Sequence, residues 1–126
     1  MGSWHTRQLL DMKRFELAGI WDTDPEACKR AEKNNIRAYS SQEELLADPE
    51  IELVTIATPN DYHKEIAIAA MRAGKNVISE KPVTISSADL EEMIAVSKET
   101  GKLFTVHQNR RWDPDFRAIK GIYDSG

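Results

Sequence analysis

At 126 residues the chain is one domain of ordinary size, long enough to bury a sizeable core. A net charge of −4 leaves no basic surplus to hold a phosphate backbone, which argues against a nucleic-acid partner. No apolar run is long enough to cross a bilayer, no signal peptide opens the chain, and the single Cys28 has no internal disulfide partner; no membrane partner and a cytoplasmic location are expected.

Residues 3–12 read as the body of a helix. Residues 15–21 form a short apolar run rich in strand formers, closed by Asp22. Asp24 then caps a helix to about Asn34, with Pro25 in the first turn, where its missing N–H is harmless. Residues 36–39 read as a short strand, and Ser41 with Glu44 as a capping box for a helix to Asp48. Residues 51–57 are almost continuously apolar, as expected of a strand covered on both faces. A helix over 61–73, capped by Asp61, ends at Gly74. Asn76–Ser79 is the next strand, 86–100 a helix stopped by Gly101, and 103–107 the last strand. Asp113-Pro114 opens a final helix toward Ile122. This alternation predicts an α/β fold, a doubly wound parallel sheet in a single dinucleotide-binding domain over 1–126.

Two strands open into polar loops carrying ionisable groups. One runs into Thr58-Pro59-Asn60-Asp61-Tyr62-His63, the other into Glu80-Lys81-Pro82. In open α/β sheets the carboxyl edge of the strands binds ligands. Asp22 stands where such a fold places the acid that accepts hydrogen bonds from an adenosine ribose. Its carboxylate repels a 2′-phosphate and no cation follows at once, so NAD is favoured over NADP; the bland alternative is a loop residue. Thr58, Pro59 and Asn60 suit the cofactor's pyrophosphate and nicotinamide ribose, with His63 facing the same crevice or else lying exposed on its helix. Lys81 is the candidate catalytic residue, because a strand-end lysine beside an apolar ring can bond a substrate hydroxyl and move a proton. Glu80 would orient it, unless the two form a solvated pair. No His/Cys cluster has metal-ligand spacing, and no Walker or G-x-S-x-G motif is present, so no metal is expected.

The run E-K-P at 80–82, T-P-N-x-x-H at 58–63, and N-R-R-W-D-P at 109–114 together resemble the nucleotide-binding half of the Gfo/Idh/MocA oxidoreductases. The resemblance covers nearly the whole chain and implies a Rossmann-type sheet. It also implies that the central first strand and its G-x-G-x-x-G turn are missing. Met1 and Gly2 would then belong to the tail of that turn, with His5 continuing it as G-x-x-H; Met1-Gly2-Ser3 reads otherwise as an expression scar. The resemblance places Lys81 near the nicotinamide and substrate, Asn109 and Arg110 at the nicotinamide edge, and a mostly β domain beyond Gly126. The implied parent is a homo-oligomeric NAD-dependent dehydrogenase of a sugar, cyclitol or related polyol, of which these residues alone would be inactive. A non-catalytic nucleotide sensor and an NAD-dependent glycoside hydrolase remain alternatives. If the layout holds, residues 15–21 and 51–57 flank a slot and do not pair directly.

Overall fold

A computed structural model describes residues 2–126, and Met1 lies outside them. Local chemistry sets the helix ends. After α1 (Gly2–Asp11), α2 (Pro25–Lys33) starts where the Asp24 carboxylate accepts the Glu26 N–H at 2.9 Å. α3 (Gln42–Ala47) starts at Ser41, whose hydroxyl accepts the Glu44 N–H at 3.1 Å. The Glu44 carboxylate closes back on the N–H of Ser40 at 2.8 Å, so the expected capping box is displaced by one residue. α4 (His63–Arg72) and α5 (Ser87–Thr100) end against Gly74 and Gly101, both at positive φ.

Two expected caps are corrected. Asp61 lies inside a 3-10 turn, Asn60–Tyr62, which delays the start of α4 and leaves its carboxylate no role as a cap. Asp113 precedes α6 (Pro114–Ser125), yet its carboxylate accepts from the Arg110 guanidinium at 2.9 Å and makes no cap bond.

Three strands, β1 (Leu53–Ile56), β2 (Asn76–Ser79) and β3 (Phe104–Val106), form a parallel sheet in that order. The register aligns Ile56 with Ser79 and Ser79 with Val106, so all three strands end level at one edge. α4 packs on β1, β2 and α5, while α5 packs on β3. Their shared core is Ile56, Ala67, Ala70, Met71, Val77, Met93 and Val96, with Val54, Ile66 and Phe104 around it. The predicted α/β class with a parallel sheet is what the protein adopts. No helix among the described residues is long and apolar enough to cross a membrane.

The strands expected at 15–21 and 36–39 shrink to one parallel bridge between Ile20 and Ala38. Ile20 donates to the Arg37 carbonyl at 2.9 Å and accepts from the Tyr39 N–H at 2.8 Å. Phe15 is 52% exposed, so an apolar run without a ladder for its backbone groups stays irregular. No pairing joins this bridge to β1 among the described residues, in line with the expectation that the two segments are not neighbours.

Gly19 explains the closeness of that bridge. A Cβ there would lie 2.6 Å from the Arg37 carbonyl oxygen, which holds the bridge to Ile20, and 2.8 Å from the Tyr39 ring, whose hydroxyl is bonded to Asp48. Gly19→Ala is expected to lower stability by about 1–3 kcal/mol, as overpacking of a tight contact does. A chemical-denaturation midpoint equal to that of the unmutated protein would show the contact to be loose.

Candidate functional site at the carboxyl edge of the sheet

The loops after β1 and β2 and the turn after β3 meet at the carboxyl edge because the strands end level. Glu80, directly after β2, is 3% exposed. Its Oε1 accepts from His5 Nε2 at 2.7 Å and from His107 Nδ1 at 2.9 Å, and its Oε2 from the Lys81 backbone N–H at 3.2 Å. A carboxylate only accepts, so each ring must carry its proton on the nitrogen facing Glu80. Burial opposes the charge on Glu80, yet the hydrogen bonds from His5, His107 and the Lys81 N–H outweigh it and hold the carboxyl below its ordinary range.

This arrangement revises what the sequence suggests for Glu80. Its carboxylate holds the backbone of Lys81, not the ammonium, and the two do not form a solvated surface pair. Lys81 itself is exposed and makes no ion pair among the described residues.

His63 is fully buried, so it is neither an exposed helix histidine nor a group facing an open crevice. Its Nε2 lies 2.9 Å from the Thr58 carbonyl and its Nδ1 3.1 Å from the Pro82 carbonyl. The ring cross-braces the two loops that carry the candidate ligand groups. A neutral imidazole donates to one of these carbonyls; only the doubly protonated ring donates to both.

The remaining predicted residues fall around this frame. The Thr58 hydroxyl and the Asn109 side-chain oxygen are buried without a hydrogen-bond partner among the described residues. Such atoms are uncommon in a folded chain and fit a site whose missing partner is a ligand. Pro59 and Asn60 are exposed at the start of the 3-10 turn after β1. Gly2 begins α1 with open space around it, while Arg110 is exposed and paired with Asp113. Met1 lies outside the described residues. Asp22 is exposed at an open cleft of about 630 Å³ shared with Trp21, Thr23, Cys28, Lys29 and Ser40. One oxygen of its carboxylate accepts the Asp24 N–H at 2.9 Å.

Two partners escape sequence reasoning. His5 and His107 stand 75 and 27 residues from Glu80, distances at which no spacing rule applies. Lys29 lines the Asp22 cleft from the helix after it, although its ammonium is bonded to Glu26 at 2.8 Å.

Residues 1–108 match the family model Gfo/Idh/MocA, described as an oxidoreductase family with an NAD-binding Rossmann fold. The chain belongs to the Gfo/Idh/MocA oxidoreductase family. The match takes in the motifs at 58–63 and 80–82 and confirms the resemblance, and the family's nucleotide is of the expected NAD(P) class. Among Gfo/Idh/MocA-like relatives, the uncharacterized oxidoreductase YdgJ of Escherichia coli (strain K12) is 40% identical over 88% of this chain and 32% of its own length. The scyllo-inositol 2-dehydrogenase (NADP(+)) IolW of Bacillus subtilis (strain 168) is 36% identical over 99% of this chain and 35% of its own. Among solved structures, an NAD-binding protein from Listeria innocua superposes with a TM-score of 0.95 at 45% identity, covering 99% of this chain and 37% of that one. The chain thus spans about a third of the length of the relatives it matches.

Proposed function

We propose that this chain supplies the nucleotide-binding part of an NAD-dependent dehydrogenase that oxidises a carbinol of a sugar, cyclitol or related polyol. A mostly β domain would complete the site, in a homo-oligomeric protein. The supporting observation is Lys81: exposed at the carboxyl end of β2, its backbone is pinned on one side by buried Glu80, while His63 pins the adjacent Pro82. A flexible cation on a rigid loop can be aimed precisely enough to discriminate between substrate hydroxyls. That one relative is named an inositol dehydrogenase supports the polyol class.

Each residue has a task in this reading. Asp22 accepts from the ribose hydroxyls of the adenosine through the carboxylate oxygen not used by Asp24. Thr58 Oγ1 and Asn109 Oδ1 gain the partners they lack among the described residues, Pro59 stiffens the loop, and Asn60 and Arg110 line its mouth. Gly2, the first residue of α1, would offer its backbone N–H to the pyrophosphate, a role proposed for Met1 as well. In its unprotonated amine form, the only form with a lone pair, Lys81 accepts the proton of the substrate hydroxyl as the carbinol is oxidised. When bound, the nicotinamide supplies the hydride acceptor. Glu80 and His63 position these groups without touching substrate.

The test is direct. The full-length protein should reduce NAD in the presence of at least one member of a cyclitol, aldose and polyol panel. Absence of NADH formation across that panel, in protein that binds NAD, would sink the polyol assignment. NAD should bind more tightly than NADP, because Lys29 is engaged by Glu26 and Asp22 repels a 2′-phosphate. Asp22→Ala should weaken NAD about tenfold, the low end for a hydrogen bond to a charged group since this carboxylate is exposed. Equal affinities for NAD and NADP in the unmutated protein would remove Asp22 from its proposed role.

A further inference from the structure

Glu80 presents a buried carboxylate oxygen to two imidazole nitrogens drawn from separate parts of the fold. His5 comes from the first turns of α1, Glu80 from the end of β2, and His107 from the residue after β3. Their three ligand atoms lie within 4.8 Å of one another. We propose that His5 Nε2, Glu80 Oε1 and His107 Nδ1 form a binding site for a divalent d-block cation of the Zn²⁺ or Co²⁺ type.

Donor chemistry selects that class. Two imidazoles and one carboxylate suit Zn²⁺, Co²⁺ or Ni²⁺, whereas Mg²⁺ and Ca²⁺ ask for oxygen ligands throughout. The same two-nitrogen, one-oxygen set is a known way of holding zinc with a position left open for water. The geometry needs only a small adjustment. Ligand atoms about 2.0–2.1 Å from a tetrahedral metal stand about 3.3 Å apart, so the contacts of 2.7 and 2.9 Å to Glu80 must widen by about half an ångström. His107 can give way, because its side chain is 27% exposed, against 13% for His5 and 4% for Glu80.

Electrostatics and the outer shell favour occupancy. Glu80 is a buried anion whose nearest partners, among the described residues, are two imidazoles and a backbone N–H, with no Lys or Arg side chain bonded to it. A divalent cation supplies the missing positive charge. A ligating nitrogen must offer its lone pair, so on binding the proton leaves His5 Nε2 and His107 Nδ1, the atoms that face Glu80. The Glu80 oxygen not used by the metal stays on the Lys81 N–H, the kind of outer bond that orients a ligating carboxylate. The cation would bolt α1 to the sheet edge one residue from Lys81. The site is independent of the nucleotide reading, since none of its three ligand atoms is assigned to cofactor or substrate there.

The experiment uses the full-length protein, stripped with a chelator and dialysed, then titrated with Co²⁺ and with Zn²⁺. One equivalent of Co²⁺ per chain is expected, with the intense visible absorption of a low-coordinate site, displaced by Zn²⁺. His107→Ala should weaken uptake at least about tenfold. Cys28→Ser should leave it unchanged, which excludes the chain's one thiol. A readout that needs no variant guards against misfolding. The chain has three histidines, and Co²⁺ should shift the ring signals of His5 and His107 far more than those of His63, held between two carbonyls. No stoichiometric uptake, uptake unaltered by His107→Ala, or equal shifts of all three rings would each overturn the site.

Discussion

Replacing Lys81 by alanine in the full-length protein is expected to lower kcat about a hundredfold or more, the scale on which acid–base assistance operates. The expectation rests on what surrounds the residue. Its ammonium is exposed and unpaired among the described residues, so it is free to meet a substrate hydroxyl. Its backbone is tied to Glu80, so its swing is limited to the side chain. Affinity for NAD should change little, because the groups proposed for the adenosine and pyrophosphate sit on other loops. Lys81→Arg keeps the charge but not a readily exchanged proton. It should recover substrate affinity while leaving kcat low. Near-normal turnover in the alanine variant would return Lys81 to the solvated surface.

Glu80→Ala is expected to destabilise the fold by about 3 kcal/mol at neutral pH, the upper range for losing hydrogen bonds to a charged group. The loss strands the N–H of Lys81 and both imidazole nitrogens beside a void. The pH dependence follows from the depressed carboxyl. A carboxyl with a folded pKa below its unfolded value of about 4.3 stabilises the protein above that value. The contribution falls away as pH drops through the lower, folded value. Glu80→Gln should therefore differ most from the parent near neutrality and converge on it in acid. Melts run in chelator, so that no bound cation contributes, measure this. A stability gap independent of pH would show that shape, not charge, is what Glu80 provides.

How far the sequence carried depended on whether the signal was local. Asp24 capping α2 and Ser41 capping α3 are short-range contacts, and both appear as read. β2 matches its expected bounds because Val77 and Ser79 are buried between neighbours that complete the ladder. Residues 15–21 look the same on paper, yet strand formation needs a partner, and only Ile20 finds one. Asp61 and Asp113 have the right chemistry for caps, but a 3-10 turn and the Arg110 guanidinium take them elsewhere. The candidate site divides in the same way. E-K-P marked Lys81 through its position at a strand end. Nothing in the sequence could say that Glu80 turns inward to two histidines, or that His63 bonds two loops rather than facing solvent.

The His63 brace makes the loop after β1 and the loop after β2 one mechanical element. Anything that pulls on the Thr58 carbonyl is felt at Pro82, next to the residue proposed to handle the proton. Thermodynamic reciprocity then applies: if nucleotide seated on the first loop steadies the second, substrate held by the second must tighten nucleotide by the same factor. Cutting the brace would leave each ligand able to bind alone but blind to the other.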